Sequence, residues 1–228
     1  TSGLGFYITK TFLNKHFEIS VIGRSQQNAF PKEVKFYKCD VTKLVELRSV
    51  IKKIKKNKNY FDIIIHNVGG SQKIFNEYAS SIDYQKVWQA NLGYAIEINN
   101  SFIPNMIKKK WGRIIHISSS AAYNHLAPPS YSSAKAAVNT YVSSISKRLI
   151  KKEIVISSIC PGPIELPNRF MTIAQKKGNK YWKEYKKNHL PIGRLSKPEE
   201  ITSVVYFLSS DKASYCSGAN WNVDGSEN

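Results

Sequence analysis

The chain has 228 residues, 42% of them hydrophobic and 12% aromatic, with a formal net charge of +18 at pH 7. That length and apolar content fit one α/β domain with a substantial core and exclude a disordered chain; no apolar run is as long as a membrane span. Cys39, Cys160 and Cys216 are odd in number, far apart and without CxxC spacing, which reads as free thiols in a reducing, cytoplasmic setting and excludes a disulfide framework or zinc site.

Elements alternate along the chain. Residues 5–16 read as helix, because Leu4, Ile8 and Phe12 recur every four positions. Segments 17–23 and 34–40 read as strands, and 42–57 as a helix from the spacing of Leu44, Leu47, Ile51 and Ile54. Then come a buried strand at 61–67, a long helix at 83–109, a strand at 112–119, a helix at 131–151, a strand at 153–161, a helix at 198–209 and a last short strand at 220–225. β-Branched runs alternating with helices imply a parallel sheet covered on both faces, the doubly wound α/β class. Segment 163–192 is the least regular, rich in Lys, Tyr and Trp and bounded by prolines. It reads as an insertion covering the site within a single domain spanning 1–228.

The basic charge lies in short lysine clusters, at 52–58, 108–110, 151–152, 176–177 and 186–187. It reads as solvated helix faces; the alternative is a surface for an acidic partner or nucleic acid. No recognisable nucleic-acid module accompanies it, so nucleic acid is not the expected partner. His116, His125 and His189 lack metal-ligand spacing, and no metal is expected.

Two motifs carry chemistry. "TSGLG" at 1–5 places Gly3 and Gly5 directly before a helix, which suggests a phosphate-binding turn; such a turn normally follows a strand, and none precedes it in this sequence. "YSSAK" at 131–135 opens a helix after a loop that follows "SSS" at 118–120. Residues four apart share a helical face, so the Lys135 ammonium can sit beside the Tyr131 phenol or its ligand. Tyr and Lys are abundant here, and the pair alone would also suit a solvated helix.

In this order the motifs resemble the short-chain dehydrogenase/reductases of the single-domain, 3-oxoacyl-carrier-protein-reductase-like type, over essentially the whole chain. "TSGLG" resembles the end of the family's TGxxxGxG turn, "CDVT" (39–42) the acidic residue after the third strand, and "HNVGG" (66–70) its NNAG. "QANLG" (89–93) resembles the segment with the helix Asn, "HISSS" (116–120) the serine strand, and "YSSAK" the YxxxK pair. "CPGPI" (160–164) resembles the proline-glycine turn, "GRLSKPEEI" (193–201) the stretch before the last helix, and "NVDGS" (222–226) the end of the last strand. The resemblance implies a Rossmann-type sheet whose first, central strand is missing from this sequence, so the chain reads as a piece of a longer one, with a slot between the strands that begin near 17 and 61.

The resemblance also implies hydride transfer between a nicotinamide and a ketone or secondary alcohol, or an acyl-thioester carbonyl. Tyr131 would be the general acid, its phenol lowered toward neutrality by Lys135 and the oxidised nicotinamide. Lys135 would hold the ribose hydroxyls, Ser119 would donate to the carbonyl oxygen, and Asn91 would orient water in a proton relay. Ser118 competes with Ser119, because the 119-to-131 spacing is one residue shorter than the commonest pattern. Cofactor contacts would come from Ser2, Gly3, Leu4, Arg24, Ser25, Asp40, Val41, Asn67, Val68, Gly69, Tyr131, Lys135, Pro161, Gly162 and Ile164. The second strand ends in Gly23-Arg24-Ser25, without the acidic residue of NAD-selective members. Arg24 can form paired charge-assisted bonds to a 2′-phosphate, so NADP(H) is the expected cofactor.

His66 replaces the first Asn of NNAG, Val68 its Ala, and Leu166 stands where a Thr usually meets the nicotinamide amide. The family also implies a homodimer or homotetramer through the helices at 83–109 and 131–151, with Ile96, Ile98, Phe102, Val138, Tyr141 and Ile145 as apolar candidates. The rival function is a non-catalytic NADP(H)-binding regulatory protein of the same fold.

Overall fold

The computed structural model describes residues 3–25, 30–57 and 60–227. In chain order its elements are α1 (Leu4–Leu13), β1 (Ser20–Gly23), β2 (Lys35–Lys38), α2 (Leu44–Lys56), β3 (Ile63–His66), α3 (Ser81–Trp88), α4 (Tyr94–Lys109), β4 (Gly112–Ile117), α5 (Ala121–Asn124), α6 (Pro129–Leu149), β5 (Ile154–Pro161), α7 (Phe170–Lys177), α8 (Lys180–His189), α9 (Pro198–Leu208) and β6 (Asn220–Val223).

All strand pairs are parallel. Every residue of β4 and β5 is buried, as expected for strands covered on both faces. Successive strand residues point to opposite faces, and the core divides accordingly. Ile114 and Ile156 pack with Leu47, Ile51 and Ile54 of α2, Phe102 and Met106 of α4 and Val142 of α6. Their neighbours Ile115, Ile117 and Ile159 pack on the other face with Leu4, Ile8 and Phe12 of α1 and with Ile201, Val205 and Leu208 of α9. The doubly wound class expected from the sequence is the one observed.

The sheet is in two parts among the described residues: β1 pairs with β2, and β3–β4–β5–β6 form a separate ladder. Ile22 of β1 and Ile64 of β3 belong to one core cluster without the strands pairing. A cleft of about 1240 Å³ opens between the parts at the strands' N-terminal ends, lined by Ile19, Ser20, Phe61 and Ile63 among others.

Two expectations need correction. The predicted single helix at 83–109 is two helices joined by a π-helical turn, Gln89–Gly93. The Asn91 amide takes the Val87 carbonyl at 2.7 Å, which lies one turn back, and such turns are frequent at functional sites. Segment 163–192, read as irregular, holds α7 and α8. Asn179 caps α8 by accepting from the Trp182 backbone N–H at 2.9 Å, and Ala174, Trp182, Leu190 and Leu195 form a small core beneath the pair.

Candidate active site

Chain ends of parallel strands point their loops at one edge of the sheet, and ligands of open α/β sheets bind there. The loops after β1, β2, β3, β4 and β5 enclose a cavity of about 530 Å³. Among the expected site residues, Gly3, Leu4, Arg24, Ser25, Asp40, Val41, Asn67, Val68, Gly69, Ser119, Tyr131, Lys135, Pro161, Gly162 and Ile164 all line it. Ser2 lies outside the described residues. Asn91 is buried beneath the cavity, not in its wall.

Ser118 and Ser119 follow the end of β4, and both border the cavity. The Ser118 hydroxyl is tied to the Lys135 carbonyl, to which it donates at 3.2 Å. Ser119 faces the cavity, accepts from the Ala121 N–H at 3.2 Å and is hydrogen-bonded to the Tyr131 phenol. Tyr131 lies in the first turn of α6, which starts with Pro129 at a position where no N–H is needed. Burial raises the phenol above its ordinary value, and the Ser119 hydrogen bond opposes it. The expected lowering by Lys135 is therefore not present in the protein alone, where desolvation prevails.

Lys135 follows one turn later and is itself buried. Its ammonium donates to the Ile117 carbonyl at 2.7 Å and lies 5.6 Å from the centre of the Tyr131 ring. Burial lowers it to about 8. Asn91 holds the loop opposite. It accepts from the Gly70 N–H at 3.0 Å and donates to the Gly70 carbonyl at 3.0 Å, while the Tyr94 hydroxyl holds the Val68 carbonyl at 3.2 Å. A Cβ on Gly69 would stand 2.6 Å from Asn91 Oδ1 and 3.1 Å from Lys135 Nζ, so that glycine keeps loop, Asn91 and Lys135 in register.

At the far end of the cavity, Asp40 is desolvated, which alone would raise it. Hydrogen bonds from the Thr42 hydroxyl at 2.8 Å and N–H at 3.1 Å, with attraction from Arg24 and Lys43, instead hold it below the ordinary carboxylate value. Arg24 is exposed to the cavity. Gln72, Leu166 and Arg169 also line the wall. Leu166 stands at the position where the resemblance puts a Thr beside the nicotinamide amide; Gln72 and Arg169 were not singled out, because nothing in their spacing brings them to the turn at Gly3.

Behind the site His66 and His116 are register partners on β3 and β4, with ring centres 4.5 Å apart. His66 Nε2–H donates to Asn99 Oδ1 at 2.8 Å. The Asn99 amide donates to His116 Nε2 at 3.4 Å and to the Tyr141 hydroxyl at 3.1 Å. Burial lowers His66 to about 4, and burial together with His66 and Lys135 lowers His116 further, so both are neutral. The described residues hold no cluster that could bind a metal ion, and no helix is long and apolar enough to cross a membrane.

The donor set suits a nicotinamide dinucleotide. Gly3 is left-handed at φ 60 before a helix without an acid in its first turn, and the strand end carries Arg24 in place of a carboxylate. A cavity of this shape at the carboxyl ends of parallel strands, with Ser, Tyr and Lys at one end, defines a nicotinamide-dependent oxidoreductase of the doubly wound class. The family described as Enoyl-(Acyl carrier protein) reductase matches residues 1–226, and the chain belongs to the short-chain dehydrogenase/reductases. It is 26% identical over 234 residues to the 3-oxoacyl-[acyl-carrier-protein] reductase of Thermotoga maritima, covering 98% of this chain and 93% of that one. To the same-named protein of Aquifex aeolicus it is 30% identical over 165 residues, 72% of this chain and 64% of that one. L-Sorbose reductase from Gluconobacter frateurii, complexed with NADPH and L-sorbose, superposes with a TM-score of 0.85 at 25% identity, over 99% of this chain and 92% of that one. 4-Hydroxyisoleucine dehydrogenase, complexed with NADH, shares the fold at a TM-score of 0.88 and 22% identity, over 99% and 94%.

Proposed function

We propose that this chain is an NADP(H)-dependent reductase of ketones, working in reverse as a secondary-alcohol dehydrogenase, with 3-oxoacyl thioesters as the substrate class to try first. The observation that carries it is the meeting of Ser119, Tyr131 and Lys135 at one end of a cavity whose other end presents Arg24. The nicotinamide, when bound, supplies or accepts the hydride. The protein's own groups manage the oxygen and its proton. Tyr131 and Ser119 point hydroxyls into one space, where both can donate to a carbonyl oxygen as it gains negative charge. The ammonium of Lys135, fixed by the Ile117 carbonyl, favours the phenolate left after proton transfer. Asn91 braces the Gly69–Gly70 backbone against that ammonium and would order the water that returns the proton. Arg24 selects the 2′-phosphate by charge-assisted bonds, and Gly3 lets the backbone approach the diphosphate.

Subunit association through α4 and α6 is part of this reading. Of the six apolar candidates, Ile98, Phe102 and Val138 go into the core. Ile96, Tyr141 and Ile145 are half-buried, but Tyr141 and Ile145 pack against the core, so Ile96 is the candidate left for the association surface.

The test is NADPH absorbance with a 3-oxoacyl thioester, a 2-enoyl thioester and simple ketones, using the parent and Tyr131→Phe. The expected result is oxidation of NADPH by a carbonyl compound in the parent only, with NADPH binding retained by the variant. Tight NADPH binding without turnover of any carbonyl would instead favour a non-catalytic binding protein.

A further inference from the structure

The cavity contains a cation that neither proton transfer nor 2′-phosphate recognition uses. Arg169 caps α7 from extended backbone, at φ −96 and ψ 147. Its chain is anchored locally: its N–H donates to the Leu166 carbonyl at 3.3 Å, and its carbonyl accepts from Ile173 at 2.9 Å. The side chain reaches away from α7 to the turn before α1. There Nη2 stands 3.6 Å from the position a Cβ on Gly3 would take, beside Leu166 Cδ1 at 3.7 Å. Arg169 thus links the α7–α8 segment to the glycine turn across the mouth of the cavity.

Its guanidinium has no hydrogen bond or ion pair among the described residues. Nearby hydroxyls do not compete: Thr172 Oγ1 is occupied by the Leu166 N–H at 3.0 Å, and Leu166 itself offers no polar atom. Among the described residues the only carboxylate in the cavity wall, Asp40, belongs to the opposite end and is engaged by Thr42. A planar cation at a left-handed glycine turn, without a protein anion, suits a ligand phosphate.

We infer that Arg169 grips the diphosphate of the bound dinucleotide and so ties the segment that carries α7 and α8 to the cofactor. This rests on the cofactor reading given above. Arg24 reads the phosphate that distinguishes NADPH from NADH; Arg169 reads the diphosphate they share.

The experiment measures direct binding of NADPH, NADH and adenosine 2′-monophosphate to the parent, Arg169→Ala and Arg169→Lys, by calorimetry or nucleotide fluorescence, with hydrogen exchange over residues 170–189. Arg169→Ala should weaken NADPH and NADH by the same factor, about tenfold for one exposed charge-assisted contact, and leave adenosine 2′-monophosphate unchanged. Arg169→Lys should recover part of the loss. NADPH should protect 170–189 from exchange in the parent and much less in Arg169→Ala. A loss confined to NADPH would assign Arg169 to the 2′-phosphate, and unchanged binding with a raised KM for the carbonyl compound would assign it to the substrate; either overturns the inference. A parent that binds neither dinucleotide overturns the cofactor reading itself, and the inference with it.

Discussion

The two neutral histidines behind the site should make the protein lose stability in mild acid. His66 is held at about 4 by burial, against about 6.5 in an unfolded chain. A group buried in its neutral form binds fewer protons folded than unfolded, so stability rises with pH between the two values and is lost as pH falls through 6.5. At 1.36 kcal/mol per unit, His66 alone removes about 2 kcal/mol on going from pH 6.5 to pH 5 and about 3 kcal/mol by pH 4. His116 is shifted the same way and adds to the slope. For a chain of this length each kcal/mol is roughly 2–4 °C in melting temperature, so His66 contributes a fall of about 4–8 °C from pH 6.5 to pH 5. Asp40, Glu97 and Glu200 are held below ordinary carboxylate values, so the stability they contribute is fully present above the unfolded carboxylate range and is lost only as pH falls through it. The assay is thermal or urea unfolding at pH 8, 6.5, 5.5 and 5 on the parent and His66→Asn. The variant loses a hydrogen bond at every pH, which cancels when each protein is compared with itself at pH 8. Its acid slope should be clearly shallower. Identical slopes, or a parent whose stability is flat from pH 7 to pH 5, would refute the burial of neutral His66.

Gly69→Ala should cost about 1–3 kcal/mol by overpacking, since its Cβ would meet Asn91 Oδ1 at 2.6 Å, and it should reduce turnover. Gly178→Ala is the control: strained at φ +56 with nothing within 4 Å, it should lower the melting temperature and leave turnover intact. Arg24→Ala should weaken NADPH at least tenfold and NADH by no more than a few-fold, as read by nucleotide fluorescence; equal losses would remove Arg24 from cofactor selection. Light scattering at micromolar concentration should show a dimer or larger species, and Ile96→Glu should reduce it; a monomeric parent would remove α4 and α6 as an association surface.

Much of the architecture was legible because parallel strands covered on both faces are written as apolar runs, and "IIIH", "GRIIHI" and "IVISSICP" became β3, β4 and β5. The ends were less legible. Segment 17–23 yields a strand only from Ser20, because "FEI" before it reaches the cleft between the sheet parts, where no neighbour completes a ladder. In 163–192 the helices α7 and α8 were hidden by composition. Of their described residues only Thr172, Ala174 and Trp182 are buried, too few to mark a helical period.

The site shows the same division between pattern and geometry. The Tyr131–Lys135 spacing is a property of one helix and can be read directly. The choice between Ser118 and Ser119 is not, because two adjacent serines after the strand differ only in their partners; only the folded chain shows that Ser118 donates to the Lys135 carbonyl while Ser119 meets the phenol. Asn91 lies in a segment whose periodicity suits an unbroken helix, yet its amide takes the Val87 carbonyl and its oxygen takes the Gly70 N–H. A one-residue widening of a helix leaves no mark on a 3.6-residue pattern. Its cause is the side chain itself, which bonds backwards to its own helix and forwards to a loop that begins 21 residues earlier in the chain. The helix therefore yields its regular turn at the point where the loop beside Lys135 must be held, and local regularity gives way to tertiary hydrogen bonding at the residue that the site needs.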